Sequence, residues 1–332
     1  MEHYERNPMT PAAPGSPIDK ILIKLPESMR ERINKLPKRA MNQLEEIRIR
    51  TDTDTLLISG GREYSLRDRD EITAEVLEEI LNRLLDYSYY AYEEELARGY
   101  ITIEGGHRVG ICGRVTLENG QVHLIKDVSS LNIRRSREIT GASDKILGAV
   151  LSPAKTPPEG VQNAGDSAAI TEMNVRNTLI ISPPKCGKTT ILRDLARSLS
   201  CRGFRIGICD ERSEIAGCYD GKTSYDLGLR TDVLDGCPKA EGILMLIRAM
   251  SPDVVLTDEI GKPEDAAAIR SALSAGVKII TTIHGSSFED AAKSAVGDLI
   301  TDRVFETLIF LSAQPVTGTV EKILQLPEVS HG

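Results

Sequence analysis

The nine residues 182–190, SPPKCGKTT, have the types and spacing of a phosphate-binding loop. They fit the pattern G-x-x-x-x-G-K-[ST], except that Ser182 stands where the first glycine is usual. In such a loop, backbone N–H groups surround a phosphate at the positive end of a helix. The lysine reaches the β- and γ-phosphate oxygens, and the hydroxyl of the next residue is a ligand of Mg²⁺.

The nucleotide site is therefore predicted to contain Ser182, Pro183, Pro184, Lys185, Cys186, Gly187, Lys188, Thr189 and Thr190. Lys188 is the predicted catalytic lysine, and Thr189 is a predicted metal ligand. Ser182 lacks the freedom of a glycine to adopt a positive φ, but the residues from Lys185 onward, which contact phosphate, are intact. The alternative, an ordinary helix start, is disfavoured by the apolar run before the loop and the amphipathic run after it.

A pair of carboxylates follows the apolar run in SPDVVLTDEIG. Carboxylates at the end of a parallel strand point at the crevice where ligands bind. Asp258 suits a contact with Mg²⁺ through water, and Glu259 suits activation of the water that attacks the phosphate. The alternative is an acidic strand end that faces solvent.

Two further polar groups follow other apolar runs. In GICDERSEI, Asp210 could hold Mg²⁺ through water and Glu211 could orient the nucleophile, although a solvated acidic turn with local ion pairs is the alternative. In KIITTIHG, a neutral imidazole at His284 could sense the γ-phosphate or couple to a neighbour, although a structural histidine is the alternative.

The elements that must position these residues alternate between strand and helix. Apolar runs NTLIIS, FRIGIC, DVVLTD and VKIITTI are separated by helical stretches, which indicates a mostly parallel sheet with helices on both faces. The predicted fold class is α/β, with a RecA-like P-loop NTPase domain over residues 174–326. A smaller α+β domain is predicted over 17–146, with one hairpin in EEIRIRTDTDTLLISGG, a long core-facing helix near Leu77, and another hairpin at Asn119-Gly120.

The remaining stretches lack periodicity. Residues 1–16 are predicted to be a disordered tail, residues 147–173 a linker or insertion, and residues 327–332 a second tail.

Composition indicates a cytoplasmic protein. The chain has 332 residues with a formal net charge of -8, which argues against a broad nucleic-acid-binding face. No apolar run approaches the ~18 residues that span a bilayer. The N-terminus lacks the apolar core of a signal peptide, and the six cysteines contain no C-x-x-C pair.

Two long blocks carry a family resemblance: RTDVLDGCPKAEGILMLIRAMSPDVVLTDEIG and YAYEEELARGYITIEGGHRVGICGRV. They resemble the stage III sporulation protein AA family of endospore-forming bacteria, which is similar to the secretion-superfamily ATPases that power type II and type IV secretion and pili. With the P-loop, the resemblance covers most of residues 40–312. Within it, residues 210–214 match the acidic box, Asp258 and Glu259 the Walker B region, and His284 the histidine box.

The chain departs from the superfamily pattern in three places. Asp258 stands where a glycine usually precedes the Walker B glutamate, and the first histidine of the histidine box is missing in AGVKII. The proline-rich stretch near 152–170 is also longer than the family pattern. These departures affect the transfer of mechanistic detail and leave nucleotide binding intact.

The resemblance implies an ATPase that uses ATP and Mg²⁺ and assembles as a homo-oligomeric ring, a hexamer, with nucleotide between subunits. Arginines that reach the γ-phosphate stabilise developing charge. The candidates are Arg108, Arg114 and Arg134 of the first domain and Arg230 of the second, each with a surface ion pair as the alternative. The implied role is a motor in the cytoplasm of the mother cell, peripheral to the membrane, with membrane proteins of a sporulation channel as partners.

Two other functions remain open at this point. A nucleotide-dependent assembly scaffold with little turnover is the first, although it would not need Glu259. A nucleic-acid motor is the second, although the acidic balance and the scarcity of aromatic residues oppose it, and no nucleic-acid partner is expected. A classical ABC ATPase is disfavoured because the chain has no L-S-G-G-Q-like signature between the two Walker elements.

Overall fold

The computed structural model describes residues 17–153 and 173–326. The predicted tails 1–16 and 327–332, and most of the predicted linker, lie outside the described residues. The chain divides into two compact units. The first unit comprises the residues up to Ser136 and the segment Gly217–Ser224, and the second comprises Arg137–Ala216 and the residues from Tyr225 onward.

The first unit is built around an antiparallel sheet. Its helices are α1 (Pro17–Leu22), α2 (Glu27–Asn34), α3 (Lys38–Asn42), α4 (Ala74–Leu84) and α5 (Glu93–Ala97), and its strands are β1 (Leu44–Arg50), β2 (Leu56–Ser59), β3 (Arg62–Ser65), β4 (Tyr100–Ile103), β5 (His107–Glu118) and β6 (Gln121–Arg134). The strand order is β3-β2-β1-β6-β5-β4, and every neighbouring pair is antiparallel. Two short 3₁₀ turns, Arg69–Glu71 and Tyr89–Tyr92, flank α4.

The local signals of the first unit are confirmed. The first hairpin forms from β1 and β2, and the second forms where Asn119 and Gly120 adopt φ angles of 51° and 79° between β5 and β6. The predicted core-facing helix is α4, and it is 11 residues long. It begins after Thr73, whose hydroxyl accepts from the Val76 N–H, and ends at Leu84, because Asp86 and Tyr87 turn to positive φ.

The second unit contains the parallel sheet. Its helices are α6 (Asp144–Val150), α7 (Lys188–Cys201), α8 (Lys239–Met250), α9 (Pro263–Ser274), α10 (Phe288–Ala292) and α11 (Gly297–Thr301), and its strands are β7 (Leu151–Pro153), β8 (Met173–Val175), β9 (Thr178–Ser182), β10 (Ile206–Asp210), β11 (Thr231–Asp235), β12 (Val254–Glu259), β13 (Lys278–His284), β14 (Thr307–Ser312) and β15 (Thr319–Gln325). The large sheet has the order β11-β10-β12-β13-β9-β14-β15. Its neighbours are parallel except for β14 and β15, and β7 and β8 form a separate antiparallel pair.

Two strands of this sheet, β9 and β10, are buried along their whole length, whereas β12 and β13 end in the exposed residues Glu259 and His284. Every residue of β9 and of β10 is buried, as expected for parallel strands covered on both faces. The four apolar runs that the sequence analysis selected become β9, β10, β12 and β13. Because these strands are parallel, their carboxyl ends meet at one edge of the sheet.

The division between the units differs from the predicted domains. The sequence analysis ended the first domain at residue 146, whereas the second unit begins at Arg137 and includes α6 and β7. Asp194 of α7 explains this difference, because its buried carboxylate accepts the N–H groups of Gly141 at 3.0 Å and of Ser143 at 2.8 Å. A second difference is Gly217–Ser224, which belongs to the first unit, where the Tyr219 hydroxyl donates to Asp86 at 2.8 Å.

Asp194→Asn is expected to lower the free energy of unfolding in a pH-dependent way. Burial alone would raise the pKa of this carboxyl, but donors from Ser143, Arg197 and Gly141 together hold it below its ordinary value. The stabilisation is therefore present above the unfolded pKa of about 3.9 and is lost as the pH falls through the lower folded pKa. We expect a loss of about 1.5–3 kcal/mol at neutral pH that shrinks in acid, measured by urea denaturation. An equal loss at neutral pH and below about pH 3 would contradict this assignment.

Candidate nucleotide-binding site

The predicted phosphate loop connects a buried strand to a helix. It leaves β9 at Ser182 and enters α7 at Lys188, with Gly187 as the N-cap in the left-handed region at φ 84°. Ser182 is the last residue of β9 and is fully buried, so its position requires extended backbone and no positive φ. A serine at this position therefore adds no backbone strain, and its hydroxyl donates to the Pro183 carbonyl at 2.9 Å.

Gly187 is required by both conformation and space. Besides its positive φ, a Cβ at this position would lie 3.3 Å from Cγ2 of Thr317 and 3.5 Å from the backbone of Gly318. Both residues lie in the turn between β14 and β15. This turn therefore packs against the glycine of the phosphate loop.

The Lys188 ammonium is held inside the loop by three groups. It donates to the carbonyls of Ser182 at 3.0 Å and Pro183 at 3.2 Å, and it lies 3.1 Å from Nδ1 of His284. Burial lowers the pKa of Lys188, while the charge of Glu259 opposes this change. Thr189 and Thr190 follow in the first turn of α7 and are half-buried.

His284 joins the loop lysine to the predicted catalytic base. Its Nε2 lies 2.7 Å from Oε2 of Glu259. Because Nδ1 accepts from the Lys188 ammonium, the Nε2–H group donates to the Glu259 carboxylate. The three side chains come from the carboxyl-end edge of the sheet and form what we call the lysine–histidine–glutamate chain. The predicted catalytic residues Lys188, Glu259 and His284 are thus brought together.

A second lysine, which the sequence analysis missed, joins two of the predicted acidic residues. The Lys239 ammonium lies 2.6 Å from Oε2 of Glu211 and 2.9 Å from Oδ1 of Asp258. Burial would lower the pKa of Lys239, but the two carboxylates together raise it. Burial raises the pKa of Asp258, and Lys239 opposes this rise. One signal was available in the sequence, because a lysine directly after Pro238, at the start of a helix, opposes the helix dipole.

Asp210 has a structural role that the sequence analysis did not predict. Its two carboxylate oxygens accept the N–H groups of Glu214, Ile215 and Ala216 at 2.8–2.9 Å. Burial raises the pKa of Asp210 to about 7, and these donors oppose the rise. Because both oxygens are engaged by backbone, Asp210 is left out of the metal site that we propose.

Arg193 of α7 completes the support of the same turn. Its guanidinium is buried and donates to the carbonyls of Ile215 at 2.7 Å, Glu214 at 2.8 Å and Arg137 at 2.7 Å. It also lies 3.5 Å from the centroid of the Tyr225 ring. Asp210 and Arg193 together hold the backbone of residues 214–216 from both its N–H and its carbonyl sides.

The four candidate arginines are divided between the two units. Arg230 directly precedes β11, so it lies at the amino-terminal edge of the parallel sheet, where its N–H donates to the Ser200 hydroxyl at 2.8 Å. Arg108, Arg114 and Arg134 belong to the first unit. There, Arg108 stacks on Tyr100 at 3.7 Å, Arg114 pairs with Asp127 at 2.8 Å, and Arg134 is exposed opposite Arg108 in the sheet.

The donor set fits Mg²⁺ that is bound mainly through phosphate and water. Among the residues that the structure describes, no cluster of three or more His, Cys, Asp or Glu side chains could hold a metal ion by itself. Mg²⁺ in nucleotide sites keeps several waters and binds through few protein groups plus the phosphates. Thr189, in the first turn of α7, and Asp258, through water, are the groups that would hold it.

Comparisons with known proteins identify the family of this chain. The family model described as "Sporulation stage III, protein AA" matches residues 18–158 and 159–327. The chain is also 44% identical over 306 residues to the stage III sporulation protein AA of Bacillus subtilis (strain 168), covering 90% of this chain and 92% of the relative. The chain belongs to the stage III sporulation protein AA family.

Solved structures show which fold this family member has. It is similar to the pilus retraction motor PilT with bound ADP, with a TM-score of 0.55 and 13% identity over 88% of this chain and 82% of that one. It is also similar to the ATPase DotB of Yersinia pseudotuberculosis, with a TM-score of 0.53 and 12% identity over 86% of this chain and 76% of that one. The predicted RecA-like P-loop fold is confirmed, together with an antiparallel first unit. Within the described ranges, no helix is both long enough and apolar enough to cross a bilayer.

Proposed function

We propose that this member of the stage III sporulation protein AA family is a Mg²⁺-dependent ATPase that works as a motor of the secretion-ATPase type. The observation that carries the proposal is the lysine–histidine–glutamate chain, which connects a phosphate-binding lysine to a carboxylate at the edge of a RecA-like sheet. A site that only bound nucleotide would need Lys188 but not this link to Glu259.

In the proposed reaction, Lys188 transfers its hydrogen bonds from the carbonyls of Ser182 and Pro183 to the β- and γ-phosphate oxygens. Glu259 accepts a proton from a water molecule whose oxygen attacks the γ-phosphorus, and the bond from that phosphorus to the bridging oxygen of ADP breaks. When bound, Mg²⁺ neutralises charge on the phosphates.

His284 couples these two roles. Its Nδ1 accepts from Lys188 and its Nε2–H donates to Glu259. When the lysine moves toward phosphate, His284 loses one of its two hydrogen bonds, and His284 is the side chain that positions Glu259. The hydrogen bond also keeps the Glu259 carboxylate oriented although both side chains are more than 40% exposed. This arrangement supports a base whose position depends on the occupancy of the loop.

We further propose that the active form is a homo-oligomeric ring, a hexamer, in which an arginine of a neighbouring subunit completes the site. Arg230 supports this idea, because it lies at the opposite edge of the sheet from Lys188 within one subunit. Family membership and the fold shared with a pilus retraction motor support a cytoplasmic motor in the mother cell, docked on membrane proteins of a sporulation channel.

Phosphate release from Mg-ATP across a range of protein concentrations tests the ring. We expect the rate per subunit to rise with protein concentration, because a composite site forms only when subunits associate. Lys188→Ala provides the background rate. A rate per subunit that stays constant while sizing shows the protein passing from monomer to oligomer would contradict the composite site. Nucleotide binding without turnover in the fully assembled ring would favour the scaffold.

A further inference from the structure

Lys239 occupies a position that is unfavourable for a lysine in two respects. Among the lysines of residues 17–153 and 173–326 it is the one that is buried, with 7% of its side chain exposed. It is also the first residue of α8, where the helix dipole opposes a positive charge. Burial and the helix dipole both disfavour a positive charge here. We infer that the site requires a cation at this position, because a neutral side chain would avoid both costs.

The partners of Lys239 come from two neighbouring strands of the parallel sheet. Glu211 directly follows β10, and Asp258 lies in β12, which pairs with β10. Because the ammonium lies 2.6 Å from one carboxylate and 2.9 Å from the other, it ties the acidic box to the Walker B region. Asp258 in turn adjoins Glu259, the end of the lysine–histidine–glutamate chain.

The ammonium constrains how Asp258 can meet a metal ion. A dication bonded directly to Oδ1 would lie next to the positive charge of Lys239, and like charges at such short range in a buried site repel strongly. Contact through a water molecule keeps the two cations apart. Mg²⁺ loses its waters reluctantly, so this arrangement suits it.

We propose that Lys239 is a positioning residue that holds Asp258 and Glu211 and supplies a fixed positive charge to the nucleotide site, so that Asp258 meets Mg²⁺ through water. The proposal rests on the proposed function, because it assumes that the site binds Mg-ATP. With Lys239 in place, the edge of the sheet carries less negative charge, and part of the repulsion toward free ATP is removed even without metal.

Lys239→Met tests this role by nucleotide binding, independently of turnover. The dissociation constant of a fluorescent ATP analogue is measured in EDTA and in saturating Mg²⁺. The EDTA value divided by the Mg²⁺ value gives a ratio, which is compared between the variant and the wild type. Without the ammonium, the unpaired carboxylates repel free nucleotide and attract Mg²⁺, so we expect the ratio to increase by about tenfold or more. A general loss of folding would weaken both affinities together and leave the ratio unchanged.

Three further variants separate charge from structure. Lys239→Arg keeps the positive charge and is expected to keep the ratio within about threefold of the wild type. Lys239→Met combined with Glu211→Gln removes one negative charge along with the positive one and should return the ratio toward the wild-type value. Lys278→Met is the matched control, because Lys278 pairs with Glu306 at 3.0 Å at the opposite edge of the sheet, and it should leave the ratio unchanged.

An unchanged ratio in a Lys239→Met protein that keeps its affinity for Mg-nucleotide would overturn the proposal, and so would a double variant that does not restore the ratio. Failure of the proposed function would be seen in phosphate release by the wild type and not in the ratio of dissociation constants. A wild-type protein that binds the analogue but releases no phosphate would refute the motor, while the ratio would still decide the role of Lys239.

Discussion

Glu259→Gln is expected to lower the rate of ATP hydrolysis by about 10²–10⁴-fold, the range that a general base contributes. The amide cannot accept the proton of the attacking water. Its oxygen can still accept the hydrogen bond from Nε2 of His284, which lies 2.7 Å from the carboxylate, so the side chain keeps its position. We therefore expect the dissociation constant for Mg-ATP to change by less than about threefold, because Lys188 and the loop are untouched.

The measurement pairs phosphate release at saturating Mg-ATP with the binding of a fluorescent ATP analogue. Glu264→Gln is the matched control, since Glu264 is an exposed glutamate in the first turn of α9 and should leave both values unchanged. If Glu259→Gln hydrolysed ATP at the wild-type rate, the base would have to be another residue. If it lost binding and turnover together, Glu259 would be a binding group rather than a base.

Arg193→Met is expected to lower the free energy of unfolding by about 3–5 kcal/mol, because three carbonyls lose their buried donors and each unsatisfied group costs about 1–3 kcal/mol. Methionine fills part of the space but leaves the carbonyls of Ile215, Glu214 and Arg137 without their buried donors. It also removes the stacking on Tyr225. Residues 214–216 form the turn whose N–H groups Asp210 accepts, and this turn is expected to loosen when its carbonyls lose the Arg193 donors.

Urea denaturation followed by circular dichroism checks this expectation. Arg205→Met is the control, because Arg205 pairs with Asp253 at 2.6 Å on an exposed surface, where an ion pair contributes about 1 kcal/mol or less. A loss in Arg193→Met no larger than in Arg205→Met would show that the three hydrogen bonds contribute little to stability.

The sequence predicted the parts of the site that depend on local pattern. Apolar runs that end in polar residues located β9, β10, β12 and β13, and parallel strands bring their carboxyl ends to one edge. The loop spacing located Lys188 and Gly187. These features follow from backbone periodicity and spacing, which a single sequence displays directly.

The features that the sequence did not reveal depend on contacts between distant segments. The partnership of Lys239 with Glu211 and Asp258 joins three positions spread over about fifty residues. The earlier start of the second unit depends on Asp194, whose carboxylate accepts from residues more than fifty positions before it. Such pairings have no periodicity, so residue type alone could not show that the Asp210 carboxylate accepts the backbone N–H of Ile215.

Ser182 and Gly187 show that a motif does not tell which of its glycines the backbone needs. Glycine is usual at this position, but the structure places Ser182 at the end of β9, in extended backbone that needs no positive φ. Gly187, by contrast, is needed for its positive φ and for the close approach of Thr317.

Phosphate release from Mg-ATP by the wild-type protein and by Lys188→Ala, purified side by side at a concentration where the wild type is fully assembled, tests the central claim most directly. The Lys188 ammonium sits in the loop within 3.2 Å of two carbonyls and His284, and alanine removes every one of these contacts. We predict turnover by the wild type and a rate at least about 10²-fold lower in the variant. Equal rates in the two proteins would contradict the assignment of this loop as the site of ATP hydrolysis.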